Sequence, residues 1–258
     1  MIDLHTHLLP DWDDGAADRA EAERMIEVAR EDGISKIVLT PHVFRMTKHG
    51  NDGSCLKARI RAFLEQSKSC WIDFFPGAEV YVHPDMIAHI KDFDLTINGS
   101  NYVFIEFPAQ HLPGGATNLV YQMMLDGLIP IISHPERNAV FARSLEILYE
   151  LIRQGAIGQV TAQSITGGFG THVRKAAESF LRHGLVHLIA SDAHNAEARP
   201  PRLSEAVEMA AKIVGTAKAE AMVTTVPAAI LENEQIPDLG EPVSPGKKSK
   251  LFWQARFS

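Results

Sequence analysis

The sequence predicts a single α/β barrel, and three observations favour that fold class. Short apolar runs alternate with amphipathic runs along the chain, which is the pattern of repeated strand–helix units. The length of 258 residues is long for an ordinary domain but normal for one barrel of this kind. Several apolar runs are followed by clusters of histidine and carboxylate residues, and parallel barrels carry their functional groups at the carboxyl ends of strands.

The predicted elements follow one another along the chain with little interruption. In the first helix, apolar Met25, Ile26 and Ala29 lie at helical spacing, and Gly33 follows as a C-terminal stop. The strands, predicted from short apolar runs, are Ile2–His5, Lys36–Thr40, Ile72–Phe75, Ala78–Val82, Tyr102–Phe107, Ile129–Ser133, Ile157–Thr161 and His187–Ser191. The helices are Asp18–Asp32, Ser54–Ser69, Pro84–Ile90, Thr117–Asp126, Ala139–Gln154, Gly170–His183, Arg202–Val214 and a shorter stretch that ends at Val223.

The chain is expected to form one domain, residues 1–236, because it shows no repeat at a fixed period and no internal linker. From Pro237 onward turn formers and charged residues dominate, so residues 237–258 are predicted to be a poorly ordered C-terminal tail. Its apolar end, Leu251-Phe252-Trp253, would also suit docking on a partner or on the body of the protein. The usual behaviour of termini favours the frayed tail.

The composition argues against several classes of protein. A formal net charge of −7 does not suit a nucleic-acid binder that relies on a basic surface. The two cysteines, Cys55 and Cys70, give no disulfide framework and fit a reducing compartment. No apolar run reaches the length of a membrane span and the N-terminus lacks signal-peptide features, so a cytoplasmic protein without membrane insertion is expected.

Histidines and carboxylates at the predicted strand ends indicate a metal site. Because alternate strand residues share one face, His5 and His7 are expected to face one space, and the same spacing joins Asp192 to His194. Neutral imidazoles mixed with carboxylates suit divalent first-row metal ions. Glu106 lies within an apolar strand, where an unpaired charge is expensive unless it meets a cation. A salt bridge is the commoner partner for such a residue, but the many ligand-type residues at equivalent positions favour a metal ion.

Seven short motifs between residue 1 and about residue 200 resemble one superfamily when they are taken together. They are Ile2-Asp3-Leu4-His5-Thr6-His7-Leu8-Leu9-Pro10, Asp13-Asp14-Gly15-Ala16, Thr40-Pro41-His42, Gly77-Ala78-Glu79, Ile105-Glu106-Phe107, Ser133-His134-Pro135-Glu136-Arg137 and Ser191-Asp192-Ala193-His194-Asn195. The His-x-His pair alone is a weak signal, whereas the combination is specific. The chain resembles the polymerase-and-histidinol-phosphatase superfamily, and within it the manganese-dependent protein-tyrosine phosphatases of bacterial capsule and exopolysaccharide operons.

The resemblance implies a distorted, TIM-like (β/α)7 barrel that holds three divalent metal ions, with Mn²⁺ expected and Fe, Zn, Mg or Co as alternatives. The implied ligands are His5, His7, Glu79 and Asp192 for one ion, Asp14, His42 and His194 for a second, and Glu106 and His134, with Glu79 as a bridge, for the third. The sequence alone does not separate Asp13 from Asp14. Asp14 is the favoured ligand, and Asp13 is expected to hydrogen-bond a ligating histidine.

The charges of the implied site suit a phosphate ester. Four carboxylates against three divalent ions leave about two positive charges, which match a phosphate dianion and a bound hydroxide. Metal ions lower the pKa of bound water to roughly 7 and so generate a nucleophile at neutral pH. Arg137 follows His134 closely, and Arg199 matches a second arginine position of the family, so both are predicted catalytic residues that hold phosphate oxygens. A surface ion pair is the alternative for either arginine.

The resulting hypothesis is a metal-dependent phosphomonoesterase that removes phosphate from tyrosines of a protein. The expected partner is a bacterial tyrosine kinase that controls capsule or exopolysaccharide synthesis, no nucleic-acid partner is expected, and the oligomeric state is open. The rivals are a small-molecule phosphatase, such as histidinol-phosphate phosphatase, and a non-catalytic regulatory binding protein.

Cys55 and Arg61 match the Cys-x5-Arg spacing of cysteine-dependent phosphatases, but the residues between them lack glycine and are typical of a helix, so the match is interpreted as chance. Residues 167–170, which include Phe169, are predicted to form a flexible loop beside the substrate groove.

Overall fold

The computed structural model describes residues 1–45, 53–67 and 71–246. The strands are β1 (Ile2–Thr6), β2 (Lys36–Leu39), β3 (His42–Val43), β4 (Asp73–Pro76), β5 (Glu79–Tyr81), β6 (Tyr102–Glu106), β7 (Ile129–Ile132), β8 (Ile157–Thr161) and β9 (Leu188–Ala190). The helices are α1 (Arg19–Glu31), α2 (Leu56–Gln66), α3 (Met86–Asp92), α4 (Ala116–Leu125), α5 (Ala139–Arg143), α6 (Leu145–Arg153), α7 (Ala162–Thr166), α8 (Thr171–His183), α9 (Ser204–Val214), α10 (Thr216–Ala221) and α11 (Thr225–Leu231). Short 3-10 turns cover Ile97–Gly99 and Pro135–Arg137. Within these residues, each helix is either too short or too polar to cross a bilayer.

The strands form a curled sheet in which the paired neighbours run parallel. β2 continues as β3 beyond Pro41, which has no N–H to donate to a strand ladder, and β4 continues as β5 beyond Gly77-Ala78. Because β2 pairs with β4 and β3 with β5, these four segments occupy two positions, and the described sheet has seven. A parallel bridge between Thr6 and Ala193 connects β1 to the chain just beyond β9. The predicted α/β barrel is confirmed.

An extra residue in β1 aims His5 into the interior of the barrel. Between Asp3 and Thr6, β1 gains one residue relative to β2, which is the geometry of a β-bulge. Two consecutive side chains therefore meet the interior. Leu4 packs in the same apolar cluster as Phe104, and the imidazole of His5 lies 4.7 Å from the ring of Phe104.

Two apolar clusters stabilise the barrel. The larger one lies between the outward faces of the strands and the surrounding helices. The smaller one fills the interior near the amino ends of the strands, with Leu4, Phe104 and Ile131 among its buried members. Helix α11 closes this end of the barrel, since Val226 and Ile230 are fully buried in the same cluster.

The observed helices differ from the predicted ones at three places, one of which is α7 (Ala162–Thr166), a helix that the prediction does not contain. The stretch from Ala139 to Gln154 forms two helices rather than one, because Ser144 has an extended backbone (φ −134°, ψ 93°) that separates α5 from α6. The prediction ends the ordered helices at Val223 and therefore misses α11. Pro227 is compatible with this helix because it lies in the first turn of α11, where its missing N–H removes no intrahelical hydrogen bond.

The described part of the C-terminal tail, residues 237–246, contains neither helix nor strand. It lies against the body of the protein through two hydrogen bonds: Lys218 Nζ donates to the carbonyl oxygen of Leu239 at 2.6 Å, and the Val243 N–H donates to that of His183 at 2.8 Å. Leu251-Phe252-Trp253 lies outside the described residues. The poor order of the whole tail and the single-domain boundary at residue 236 stay predictions.

Candidate active site

The nine predicted metal ligands lie together at the carboxyl end of the curled sheet. They are His5 on β1 and His7 just beyond it, Asp14 in the following loop, His42 on β3, Glu79 on β5, Glu106 on β6, His134 after β7, and Asp192 and His194 after β9. Eight of the nine are buried, and Asp14 is exposed. The barrel topology therefore brings residues that are up to 189 positions apart in the chain into one space, as the strand-end argument predicts.

The first group consists of His5, His7 and Asp192, with Glu79 beside it. The two Nε2 atoms lie 3.3 Å apart, and Asp192 Oδ1 lies 3.5 Å from His5 Nε2 and 3.2 Å from His7 Nε2. Glu79 Oε2 is 3.4 Å from each of the same two nitrogens. Ligand atoms that share one ion at about 2.1 Å lie roughly 3.0–3.5 Å apart, so these spacings match a coordination shell.

The second group consists of Asp14, His42 and His194, and His7 lies within reach of it. Asp14 Oδ1 is 3.4 Å from the Nε2 atoms of both His42 and His194. The resemblance does not assign His7 to this group. The structure includes His7 in the sets of neighbouring ligand atoms of both groups, so the two implied ion positions are adjacent.

The two neighbouring aspartates make different contacts. Asp13 Oδ2 accepts hydrogen bonds from His7 Nδ1 and from the His42 N–H, each at 2.8 Å, and Asp13 Oδ1 accepts one from the Gly15 N–H at 2.9 Å. Its carboxylate is therefore used to orient two imidazole-bearing segments. Asp14 instead directs one oxygen at the second group. This geometry favours Asp14 as the metal ligand and Asp13 as the residue that orients His7 and His42.

The third group surrounds Glu79, whose two oxygens face different histidines. Glu79 Oε1 is 3.0 Å from His134 Nε2, and Glu79 Oε2 is 3.0 Å from His42 Nδ1. Glu106 lies further away, 3.8 Å from each of these two histidine nitrogens. The compact set of ligand atoms is His42, Glu79 and Glu106, with His134 at its edge. His42, which the implied assignment gives to the second ion, is thus also a neighbour of this third group.

Three buried atoms of this site test whether it fits divalent ions. His42 Nδ1, Glu79 Oε2 and Glu106 Oε2 are each buried and lack a well-aligned hydrogen bond within the described part of the chain, although the first two lie 3.0 Å apart. An unsatisfied buried polar atom costs about 1–3 kcal/mol, and more when it is charged. All three are atom types that coordinate first-row divalent ions, and all three belong to one group. The residues present therefore fit a metal centre.

The electrostatics of the site keep three of these groups in the forms that bind metal. Burial alone would raise the pKa of Glu79 and of Asp192. The charge interaction with His5 at Glu79 and with Arg137 at Asp192 holds both pKa values well below their usual range. Burial, followed by the charge of Arg137, lowers the pKa of His134 to about 4. Ionised carboxylates and a neutral imidazole at pH 7 are the forms that coordinate a cation.

Two other histidines hold protons that a metal ion would displace. Burial and the charge of His7 lower the pKa of His42, but surrounding carboxylates, Glu79 foremost, outweigh them and raise it to about 9. The pKa of His7 is likewise raised well above its usual value, since Asp13 outweighs the effect of burial. Metal binding at these imidazoles would release their protons, so metal affinity is expected to increase with pH.

Arg137 and Arg199 lie side by side at a cavity of about 200 Å³ that opens beside the candidate ligands. The guanidinium groups of both arginines contact Asp192 Oδ2. The distance from Arg199 Nη2 to this oxygen is 2.6 Å. Both also lie over the ring of Phe169, with 5.1 Å and 5.7 Å between the guanidinium carbons and the ring centroid. Their Nε atoms are buried without a hydrogen-bond partner in the described residues. Two fixed guanidinium groups with free donors beside a metal centre form a suitable site for phosphate oxygens.

The family model described as "Capsular polysaccharide synthesis, CpsB/CapC" matches residues 1–232. The chain belongs to the CpsB/CapC family. Tyrosine-protein phosphatase YwqE of Bacillus subtilis (strain 168) is 32% identical to it over 255 residues, which cover 98% of this chain and 99% of YwqE. Tyrosine-protein phosphatase CpsB of Streptococcus pneumoniae is 30% identical over 250 residues, which cover 92% of this chain and 100% of CpsB.

Solved structures agree with this CpsB/CapC assignment. One of the crystal structures of Bacillus subtilis YwqE and Streptococcus pneumoniae CpsB, described as unique metal-dependent tyrosine phosphatases, matches with a TM-score of 0.85 and 31% identity. The match covers 94% of this chain and 99% of that structure. Histidinol phosphate phosphatase of Lactococcus lactis matches with a TM-score of 0.52 at 16% identity, over 84% of this chain and 93% of that one, which shows a shared fold alone. The predicted family and fold are confirmed.

The structure places two further residues beside the candidate ligands, and the sequence patterns do not single them out. Gln159 Oε1 accepts a hydrogen bond from the His134 N–H and faces His5 Nδ1, both at 3.1 Å. A polar residue in the middle of an apolar strand is the signal that would have found it. The guanidinium of Arg45 contacts Glu106. Arg45 follows a short strand without any informative spacing, so only the three-dimensional structure identifies it.

Sequence patterns also do not predict the backbone conformation at two of the candidate ligands. His134 and Asp192 have positive φ angles, 33° and 53°, which are rare for residues other than glycine. Glu136 supports the turn that follows His134, because its buried Oε1 accepts hydrogen bonds from the Thr161 N–H at 3.0 Å and from Ser164 Oγ at 2.6 Å. The structure thereby explains why the His-Pro-Glu-Arg motif needs its glutamate: this residue anchors the turn that carries Arg137.

Proposed function

We propose that this chain is a metal-dependent protein-tyrosine phosphatase whose substrate is a bacterial tyrosine kinase of capsule or exopolysaccharide synthesis. The observation that carries the proposal is the gathering of nine ligand-type side chains at one end of the barrel, where six of them line the same cavity as Arg137 and Arg199. The relatives support the reaction, since YwqE and CpsB are tyrosine-protein phosphatases. The family description supports the capsule-related role.

Three divalent ions, with Mn²⁺ as the expected metal, would be held by the three groups of side chains. The ligands proposed are His5, His7, Glu79 and Asp192, then Asp14, His42 and His194, and then Glu106 and His134 with Glu79 as a bridge. When bound, such ions supply Lewis acidity and lower the pKa of coordinated water toward neutral values. The four carboxylates offset most of the cationic charge and leave about two positive charges for an anionic substrate.

Arg137 and Arg199 are proposed to bind the phosphate group of the substrate. Their shared contacts with Asp192 and Phe169 fix both guanidinium groups before the substrate arrives, which reduces the reorganisation needed for binding. The same donors stabilise the charge that builds on the phosphoryl oxygens during transfer. The tyrosinate leaving group has a reference pKa of about 10, so it departs more easily than an alkoxide and needs no strong general acid.

The test is elemental analysis of the purified protein together with chelator-reversible phosphatase assays. We expect bound divalent metal, hydrolysis of a phosphotyrosine peptide, loss of activity with chelator and recovery on addition of Mn²⁺. Hydrolysis of histidinol phosphate in strong preference to the peptide would replace this proposal with the small-molecule phosphatase. A metal-loaded protein that is inert on para-nitrophenyl phosphate would instead favour a non-catalytic binding protein.

The cysteine mechanism has no support in the geometry. Cys55 is an exposed residue that directly precedes α2, and Arg61 lies within that helix. Neither residue lines the cavity that contains Arg137 and Arg199. The Cys-x5-Arg spacing is therefore a property of a helix rather than of a phosphate-binding loop. The cytoplasmic location stays a prediction for this chain, and its oligomeric state stays open.

A further inference from the structure

A second groove lies next to the candidate active site, between α5 and α8. It has a volume of about 460 Å³, and its lining includes Arg143 and Leu145 on one side and His172, Lys175 and Ser179 on the other. The remaining lining residues are alanines, and the lining contains neither aspartate nor glutamate. This composition is unusual in a chain whose formal net charge is −7.

The two permanent cations of this groove differ from other cations on the same surface. Arg174 and Arg182, on the same helix as Lys175, both pair with Glu178, at 3.0 Å and 3.8 Å. Arg143 and Lys175 are exposed, and neither makes an ion pair with another described residue. Their positive charges are therefore available to a ligand.

Both walls of the groove begin at residues of the catalytic cavity. Helix α5 starts directly after Asn138, which lines that cavity and caps the helix by accepting hydrogen bonds from the N–H groups of Val140 and Phe141. Helix α8 starts two residues after Phe169, the ring that underlies Arg137 and Arg199. At about 1.5 Å per helical residue, Arg143 and Lys175 lie roughly one helical turn beyond these starts. An extended peptide spans about 3.3 Å per residue, so a side chain two to four residues from the phosphotyrosine reaches this distance.

We propose that the groove between α5 and α8 binds an acidic side chain of the substrate polypeptide, a few residues from the phosphotyrosine, through Arg143 and Lys175. This inference rests on the proposed phosphatase function and specifies its substrate class further. The carboxylate is the occupant that the charges favour, because the groove offers two cations and no anion. Binding here adds affinity for phosphoprotein without involving the groups that contact the phosphate.

The experiment compares two phosphotyrosine peptides that differ only in their flanks, one with glutamates within four residues of the phosphotyrosine and one with alanines. Two readouts are used with the metal-loaded protein: kcat/KM, and the Kd of fluorescein-labelled peptides that carry a non-hydrolysable phosphonate. The wild type should prefer the acidic peptide roughly two- to tenfold, as expected for two exposed ion pairs, and less at high salt. The Arg143→Ala/Lys175→Ala variant should lose the preference, and the Arg143→Glu/Lys175→Glu variant should reverse it. Arg182→Ala, on the same helix but outside the groove lining, is the matched control and should keep the wild-type ratio.

Each result has one interpretation. Equal Kd values for the two peptides with the wild type, or an unchanged preference in the double alanine variant, would overturn the groove proposal. A protein that hydrolyses neither peptide but still binds the acidic phosphonate more tightly, through Arg143 and Lys175, would retain the groove and reject the phosphatase function. Loss of preference in Arg182→Ala would show that general surface charge, and not this groove, is responsible.

Discussion

The interior of the barrel contains two layers that differ in chemistry although the same strands build both. The lower layer is apolar, and Phe104 and Ala190 are among its buried members. Two residues further along the chain stand Glu106 and Asp192, which belong to the layer of candidate ligands. A step of two residues returns to the same face of a strand, so the change from apolar to ionic chemistry occurs over about 7 Å.

The two layers contribute to different properties. The lower layer removes apolar surface from water and is closed by α11, so it stabilises the fold without any ligand. The upper layer gathers buried carboxylates, and His42 Nδ1, Glu79 Oε2 and Glu106 Oε2 are among its atoms without a well-aligned hydrogen bond in the described residues, which opposes folding in the absence of a counter-cation. Stability and metal binding should therefore be separable by substitutions that lie close together.

The largest effect is expected from Glu79→Gln in the upper layer. Glu79 lies within 3.4 Å of four histidine nitrogens, and the amide keeps its shape while removing its charge and ligand strength. We expect kcat for a phosphotyrosine peptide to fall by about 10³-fold or more, in proportion to the loss of bound metal. The checks are steady-state kinetics and elemental analysis. A variant with wild-type metal content and turnover would contradict the position of Glu79 at the centre of the site.

In the lower layer, Ile131→Ala should reduce the stability of the fold but leave metal binding and turnover unchanged. Ile131 is fully buried in the interior cluster, so the variant should lose about 2–5 kcal/mol of unfolding free energy in urea denaturation. At a temperature where the variant is folded, its metal content and kcat should equal those of the wild type. A large loss of metal in folded Ile131→Ala would show that the two layers are coupled, and the comparison would fail.

The difference between the layers also explains which features the sequence could predict. The strand ends carry polar residues in patterns with period 2, such as His5 with His7, so most of the candidate ligands could be proposed from local spacing and from the barrel rule. Asp14 and the ligand set of each ion came instead from the family resemblance. The β-bulge in β1 was not, because it depends on how two strands pair. The positive φ angles at His134 and Asp192 leave no mark in residue type either.

The lower layer was harder to predict at its closed end. Helix α11 is short and apolar, and it includes Pro227, so its local pattern is ambiguous. Its place is determined by the interior cluster into which Val226 and Ile230 pack, a long-range contact. Similarly, the choice between Asp13 and Asp14 depends on distances to histidines from other strands, which neighbouring positions in the chain do not reveal.

A moderate effect is expected from Gln159→Leu, which changes the support of the upper layer while leaving every proposed ligand in place. The leucine removes the oxygen that holds the His134 N–H and faces His5 Nδ1. Loss of such a supporting contact should weaken metal affinity about 10- to 100-fold, measured by competition with a chromophoric chelator. Gln159→Glu retains an acceptor at this position and should restore part of the affinity. Equal affinities for wild type and Gln159→Leu would show that the histidines are oriented by other contacts.

The smallest effect is expected from Cys55→Ser, because Cys55 belongs to neither layer. Cys55 is exposed next to α2, so the substitution should change unfolding free energy by less than about 0.5 kcal/mol. Turnover of para-nitrophenyl phosphate should also stay unchanged, because the groups proposed for the reaction are the ligands and arginines of the upper layer. Loss of turnover with normal metal content and folding would revive a cysteine nucleophile. Such a result would separate catalysis from the metal centre, since a phosphoenzyme at Cys55 would form outside the cavity that the barrel builds.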